Sequence, residues 1–227
     1  MFPLKDDNPT RSAPVITVGL IALNILAFLY QISLEASGSR QAQAFVMEFG
    51  MIPCRLTGYC AIGGGPSATL TIVTSMFLHG GLFHIAGNML YLWIFGNNVE
   101  DTLGHARYLV FYLVSGVAAA LMQILVSRAS DVPMIGASGA VSGVLGAYLI
   151  LFPHANVVTL VIFGFFFRVM RIPAVIILGF WIVVQLVNGL GSLGASGGVA
   201  WFAHVGGFVA GMVLLPLVKP RPAARSW

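Results

Sequence analysis

Charge is what this chain has least of. Only 8% of its 227 residues are Asp, Glu, Lys or Arg, against roughly 25% in an ordinary soluble domain. So few charges cannot cover the surface of a water-soluble domain of this size, which excludes a soluble enzyme. The 58% hydrophobic content excludes a disordered chain. A net charge of +4 without any basic run excludes a nucleic-acid binder. Cysteine is nearly absent, with Cys54 and Cys60 alone and no histidine beside them, so no thiolate metal site is built. Internal repeats and low-complexity tracts are also lacking. What is plentiful is apolar sequence, with a mean hydropathy of +0.94, and glycine, 27 residues. Together these describe an all-α, polytopic membrane protein with close helix contacts.

A transmembrane helix needs roughly 17–25 mostly apolar residues. Five segments meet or approach this: Val15–Ile32, Leu82–Val99, Tyr108–Ser127, Ile172–Leu190 and Val199–Val218. A sixth, Ser138–Pro153, is short. At 1.5 Å per residue it covers about 24 Å of a bilayer core of about 30 Å, which submerges one of its ends. The apolar run Val157–Phe167 stops at Arg168 and is expected to be an interfacial loop. With six spans and the N-terminus inside, Lys5, Arg11, Arg107, Arg168, Arg171, Lys219, Arg221 and Arg225 are cytoplasmic. Arg40, Arg55 and Arg128 then lie outside, an inside-heavy distribution.

The expected organisation is a cytoplasmic N-terminus (1–14), a six-helix membrane domain (15–218) with a long first outer loop (33–81), and a basic cytoplasmic tail (219–227). The first span reads as a signal anchor, since no A-x-A cleavage site follows it. Cys54 and Cys60 fall in the outer loop, where a disulfide and two free thiols are both open.

Polar side chains inside spans are costly and mark function by default. Span two carries His84 and Asn88, four apart and on one helix face. Span four opens with Gly136-Ala137-Ser138-Gly139-Ala140, and span six carries His204. Each has a bland alternative: a back-bonded serine, a satisfied histidine, an asparagine that joins helices. Topology brings them together, because spans two, four and six all begin on the outer side. His204 lies about 7–8 Å along its helix, and Ser138 starts the submerged span. The four groups therefore meet at similar depth.

Nucleophilic acyl transfer is the chemistry such a cluster supports. Ser138 needs a base, and His204 is available. The oxyanion needs donors, which His84, Asn88 and the first N–H groups of span four supply. Gly136 and Gly139 flank Ser138, and the Gly139/Gly143 and Gly207/Gly211 pairs let spans four and six approach closely. Asp131 lies in a loop, and Glu100 and Asp101 fall at the wrong end of span two, so the expectation is a Ser-His dyad without a carboxylate. A zinc protease using His79, His84 and His204 lacks H-E-x-x-H and any intramembrane acid. A client-binding pseudoenzyme is disfavoured by the intact Ser138 and His204. A small transporter would call for an inverted repeat.

These residues resemble the bacterial rhomboid family of intramembrane serine proteases. The resemblance runs from about Thr74 to Gly211. It is carried by His79 followed by His84-Ile85-Ala86-Gly87-Asn88, by the stretch Gly96–Gly104, by Gly136-Ala137-Ser138-Gly139, and by Ala203-His204-Val205-Gly206-Gly207. It implies six helices around a cavity open to the outer side, in the cell's inner membrane. Ser138 would be the nucleophile, His204 the base, and His84 and Asn88 the oxyanion hole, with His79 structural. The implied substrates are single-span or other transmembrane proteins cut near the outer face, with no cofactor or metal. Three positions depart from the family pattern. Leu70 and Thr71 stand where many members carry Trp-Arg, and Ser142 stands where many carry an aromatic that supports the catalytic imidazole. Phe180 and Trp181 of span five are candidates for a substrate gate, as is the cap loop that follows.

Overall fold

A computed structural model describes residues 1–61, 65–193 and 198–220. Within them the chain is mostly helical, in the order β1 (Phe2–Asp6), α1 (Val15–Ser37), α2 (Ser39–Phe49), α3 (Pro53–Thr57), α4 (Thr71–Thr74), a 3-10 turn (Ser75–Phe77), α5 (Leu82–Leu103), α6 (His105–Val126), α7 (Ser138–Leu151), β2 (Asn156–Phe163), β3 (Phe166–Pro173), α8 (Ala174–Gly191) and α9 (Trp201–Val218). The six segments expected to cross the membrane fall on the six longest helices among the described residues, α1, α5, α6, α7, α8 and α9. The basic tail beyond 220 and part of the cap loop after α8 lie outside the described residues.

Four helices, α1, α6, α8 and α9, are long and apolar enough to cross a membrane. Their outward faces are apolar too: Leu26 of α1, Leu125 of α6, Val187 of α8 and Leu217 of α9 are all exposed. Such a surface is stable only against lipid. Helix α5 is as long but carries more polar residues. Helix α7 has 14 residues and spans about 21 Å. Every residue from Gly139 to Tyr148 is buried, because α5, α6, α8 and α9 pack around it.

Glycine sets the closeness of that packing. A Cβ on Gly207 would stand 2.0 Å from the Gly139 carbonyl oxygen, and one on Gly211 would stand 1.9 Å from that of Gly143. Neither space exists, so α7 and α9 touch backbone to backbone, as the two glycine pairs predict.

The other end of the bundle is closed by polar contacts. Helix α1 has no cap of its own, since Pro14 precedes it. Glu100 of α5, 1% exposed, supplies one. Its carboxylate accepts the N–H groups of Ile16 and Thr17, both at 2.8 Å, and the Thr17 hydroxyl at 2.7 Å. It also meets His105 Nδ1 at 2.6 Å. An anion at a helix N-terminus is favourable on both hydrogen-bond and dipole grounds. Asp101 accepts from the backbone of Arg11 and Ser12 and from the Ser12 hydroxyl. This is what the acidic pair does at the end remote from Ser138.

The run expected to be an interfacial loop, Val157–Phe167, is instead most of a β-hairpin. Strands β2 and β3 pair antiparallel from Asn156↔Pro173 to Phe163↔Phe166, and β1 pairs with β2 on the other side. Val157 and Thr159 are fully buried while their neighbours are not, the period-two pattern of a strand. The sheet is tied to α7 by the Tyr148 hydroxyl, which donates to Asp6 at 2.6 Å. The hairpin tip is aromatic and bare, with Phe165 97% exposed.

The segment between α1 and α5 is held by a disulfide and by contacts with the α6–α7 connection. Cys54 and Cys60 are joined by a disulfide. Met51 and Met134 exchange backbone hydrogen bonds at 2.7 and 3.1 Å, and the Thr74 hydroxyl donates to the Phe49 carbonyl at 2.6 Å. At two of the three positions that depart from the family pattern, Leu70 is half exposed and Thr71 bonds locally to the Ala68 carbonyl.

Candidate active site

The Met51–Met134 bridge leads the chain into the first turn of α7. Gly136 donates its N–H to the Ser75 carbonyl at 2.9 Å with φ +124°, a conformation side-chain-bearing residues rarely adopt. A Cβ there would also stand 2.8 Å from His84 Cε1 and Nε2. Gly136 therefore turns the chain and leaves room for the imidazole beside it. Ser138 follows as the first residue of α7, partly exposed.

Its hydroxyl lies 2.9 Å from His204 Nε2 on α9. The other imidazole nitrogen, Nδ1, lies 2.8 Å from Gln185 Oε1 on α8, and Gln185 Nε2 donates to the Trp181 carbonyl at 3.2 Å. The His204 ring sits between two indoles, with centroids 5.9 Å from Trp181 and 6.1 Å from Trp201. The aromatic missing at Ser142 is thus replaced from α8 and α9. Ser142 itself turns back and donates to the Ser138 carbonyl at 2.6 Å.

His84 and Asn88 face the same space from α5. His84 Nδ1 accepts the Gly80 N–H at 3.2 Å, which leaves Nε2 as the protonated nitrogen, on the Gly136 side. Asn88 donates one amide N–H to the His84 carbonyl at 3.1 Å, so its second N–H is free to donate. Ser138, His204, His84, Asn88, Ser142 and Gln185 all line one cavity of about 530 Å³. A second cavity of about 540 Å³, between the ends of α6 and α9, touches neither Ser138 nor any histidine.

Residues 66–221 match the Rhomboid domain family. The chain belongs to the rhomboid family. Among its relatives, Rhomboid protein 1, mitochondrial, of Saccharomyces cerevisiae is 29% identical over 154 residues, 65% of this chain and 41% of that protein. RHOMBOID-like protein 1 of Arabidopsis thaliana is 32% identical over 152 residues, 66% of this chain and 35% of the other. Rhomboid protease GluP of Bacillus subtilis is 34% identical over 136 residues, 60% of this chain and 24% of the other. The aligned stretch is less than half the length of each of these relatives. With its apolar helices, this rhomboid is a multi-pass membrane protein.

His79 lies beside the cavity but does not line it. It is 2% exposed, its N–H donates to Gln31 Oε1 at 2.9 Å, and its carbonyl accepts from Gln31 Nε2 at 3.2 Å. That pair joins the loop before α5 to α1. Burial, then the nearby charge of His84, holds the His79 imidazole down at about 4, so it is neutral at ordinary pH. Gly139 and Gly207 meet at the α7–α9 contact, one residue after Ser138 and three after His204. Of the two gate candidates, Trp181 packs on His204 and Phe208, while Phe180 points outward and is exposed.

Gln185 was not among the residues singled out from sequence. The signal for it was available: it is a polar residue inside an apolar span. It belongs to no motif, however, and its partner is 19 residues away on another helix.

Proposed function

We propose that this rhomboid is an intramembrane serine endopeptidase that cuts transmembrane segments near the outer membrane face with a Ser138–His204 dyad. The 2.9 Å approach of Ser138 Oγ to His204 Nε2, inside a cavity that also holds two candidate oxyanion donors, carries this reading. In it the chain crosses the inner membrane six times, with both termini cytoplasmic. That places the N-terminal ends of α5, α7 and α9, and so the dyad, toward the outer side.

The chemistry follows from the atoms present. His204 Nε2 takes the Ser138 proton as Oγ bonds to the scissile carbonyl carbon. The carbonyl oxygen becomes an oxyanion, met by His84 Nε2–H, an Asn88 N–H and the Ser138 backbone N–H. His204 then gives its proton to the leaving amine as the C–N bond breaks. Water entering by the cavity hydrolyses the acyl-enzyme through the same base. A substrate helix must unwind locally first, because its carbonyls are otherwise hydrogen-bonded four residues on.

Hydrolysis of a transmembrane reporter by purified protein tests this. Ser138→Ala and His204→Ala should each abolish cleavage. Asn88→Ala should reduce it by about 10²–10³-fold, the usual effect of losing a dominant oxyanion donor. A loss under about tenfold would reduce Asn88 to a helix-packing role. Undiminished cleavage by Ser138→Ala would overturn the mechanism.

A further inference from the structure

A serine–histidine dyad works only if the right imidazole nitrogen carries the proton. With no carboxylate behind His204, the structure must choose by other means. We propose that Gln185 is a positioning residue that fixes His204 in its reactive tautomer, and that the Trp181 backbone carbonyl fixes Gln185 in turn. This rests on the dyad reading above.

A backbone carbonyl can only accept. The Gln185 NH₂ must therefore be the end that faces Trp181 O, at 3.2 Å. That leaves Oε1 toward His204 Nδ1, at 2.8 Å. An amide oxygen also only accepts, so Nδ1 must carry the imidazole proton. A neutral imidazole has one N–H. Nε2 is then bare, and its lone pair meets the Ser138 hydroxyl at 2.9 Å. The chain of donors and acceptors has one consistent direction, from Ser138 Oγ–H through His204 and Gln185 to a main-chain oxygen of α8.

Burial makes the constraint binding. Gln185 is 5% exposed, so water competes little for either end of its amide. Ser142 cannot substitute, since its hydroxyl is committed to the Ser138 carbonyl. The two indoles hold the ring in place, but their packing does not select which nitrogen is protonated. A neutral amide also suits the location, because a carboxylate buried among these helices would carry a desolvation cost that an amide does not. During attack the Ser138 proton passes to Nε2, while Nδ1–H stays donated to Gln185. The proton then leaves from Nε2 with the amine.

The test uses full-length protein with 15N-labelled histidine and the transmembrane reporter. The His204 nitrogen signals, identified by their loss in His204→Asn, report which nitrogen is protonated whether or not catalysis occurs. The wild type should show Nδ1–H. Gln185→Met keeps the volume and removes the acceptor. It should move the proton to Nε2 and cut kcat by about 10- to 100-fold, with KM within about twofold. Gln185→Glu restores an acceptor, and should return the Nδ1–H signal and a kcat well above that of Gln185→Met. The proposal is overturned by an Nε2–H wild type, by Gln185→Met with wild-type kcat, or by Gln185→Glu no better than Gln185→Met. If instead Ser138→Ala still cleaves, the dyad reading fails, while the nitrogen signals still decide what Gln185 does to His204.

Discussion

At Gly207 a single hydrogen atom stands where any other residue would place a carbon 2.0 Å from the Gly139 carbonyl oxygen. The obstacle is backbone in the first turn of α7, which cannot swing aside as a side chain could. Gly207→Ala must therefore push α7 and α9 apart next to Ser138 and His204. The expected result is a lower thermal midpoint, a cost of about 1–3 kcal/mol for overpacking, and a loss of reporter cleavage larger than that destabilisation explains. Gly19→Ala in α1 is the control. A Cβ there meets nothing within 4 Å, so it should leave activity unchanged and, as alanine for a helical glycine, not destabilise. Equal behaviour of the two variants would contradict the close-contact account. The glycine spacing in α7 and α9 could be read in advance, because a four-residue repeat of glycine faces one side of any helix. Gln185 could not be placed that way. Its role depends on how α8 is rotated against α9, and no local pattern records that rotation.

Among the elements, α1 depends most visibly on another. It begins after a proline with no capping side chain, and Glu100 supplies its N-terminal acceptors from α5, 84 residues later in the chain. Glu100→Ala would leave the N–H groups of Ile16, partly buried, and Thr17, fully buried, without these partners. Each such group costs on the order of 1–3 kcal/mol. The variant should unfold at lower temperature, while folded protein keeps its reporter cleavage at low temperature. Glu100 lies about 24 Å along α5 from His84, too far to affect the chemistry directly. Loss of activity without loss of stability would contradict a capping role. The apolar spans were readable because length and hydropathy decide them. The β-hairpin was not, because the length of its apolar run, its stop at Arg168 and the charge balance decide only that it does not span, not that it forms strands. Its β-branched residues, Val157, Val158, Thr159, Val161 and Ile162, and the glycine at 164, which turns the chain at φ +58°, are the strand signals it carries.

For the molecule as a whole, composition excluded water as the solvent, and connectivity then placed the scarce polar groups. Helices α5, α7 and α9 alternate with helices running the other way, so their N-terminal ends share one side of the bundle. That shared side, with Ser138 at the start of a short span and His204 about 7–8 Å along its own, groups Ser138, His204, His84 and Asn88 at similar depth from sequence. Contacts between distant segments were beyond reach: Glu100 with α1, the sheet with Tyr148, and Gln185 with His204. Each joins residues whose separation in sequence carries no period. The central claim is that Ser138 is a nucleophile activated by His204, and covalent capture tests it most directly. Wild-type protein in detergent should form one fluorophosphonate adduct, with the added mass on the peptide that contains Ser138. Ser138→Ala should carry none, and His204→Ala should label far more slowly. An adduct mapped to another residue, or labelling of Ser138→Ala at the wild-type rate, would contradict the account.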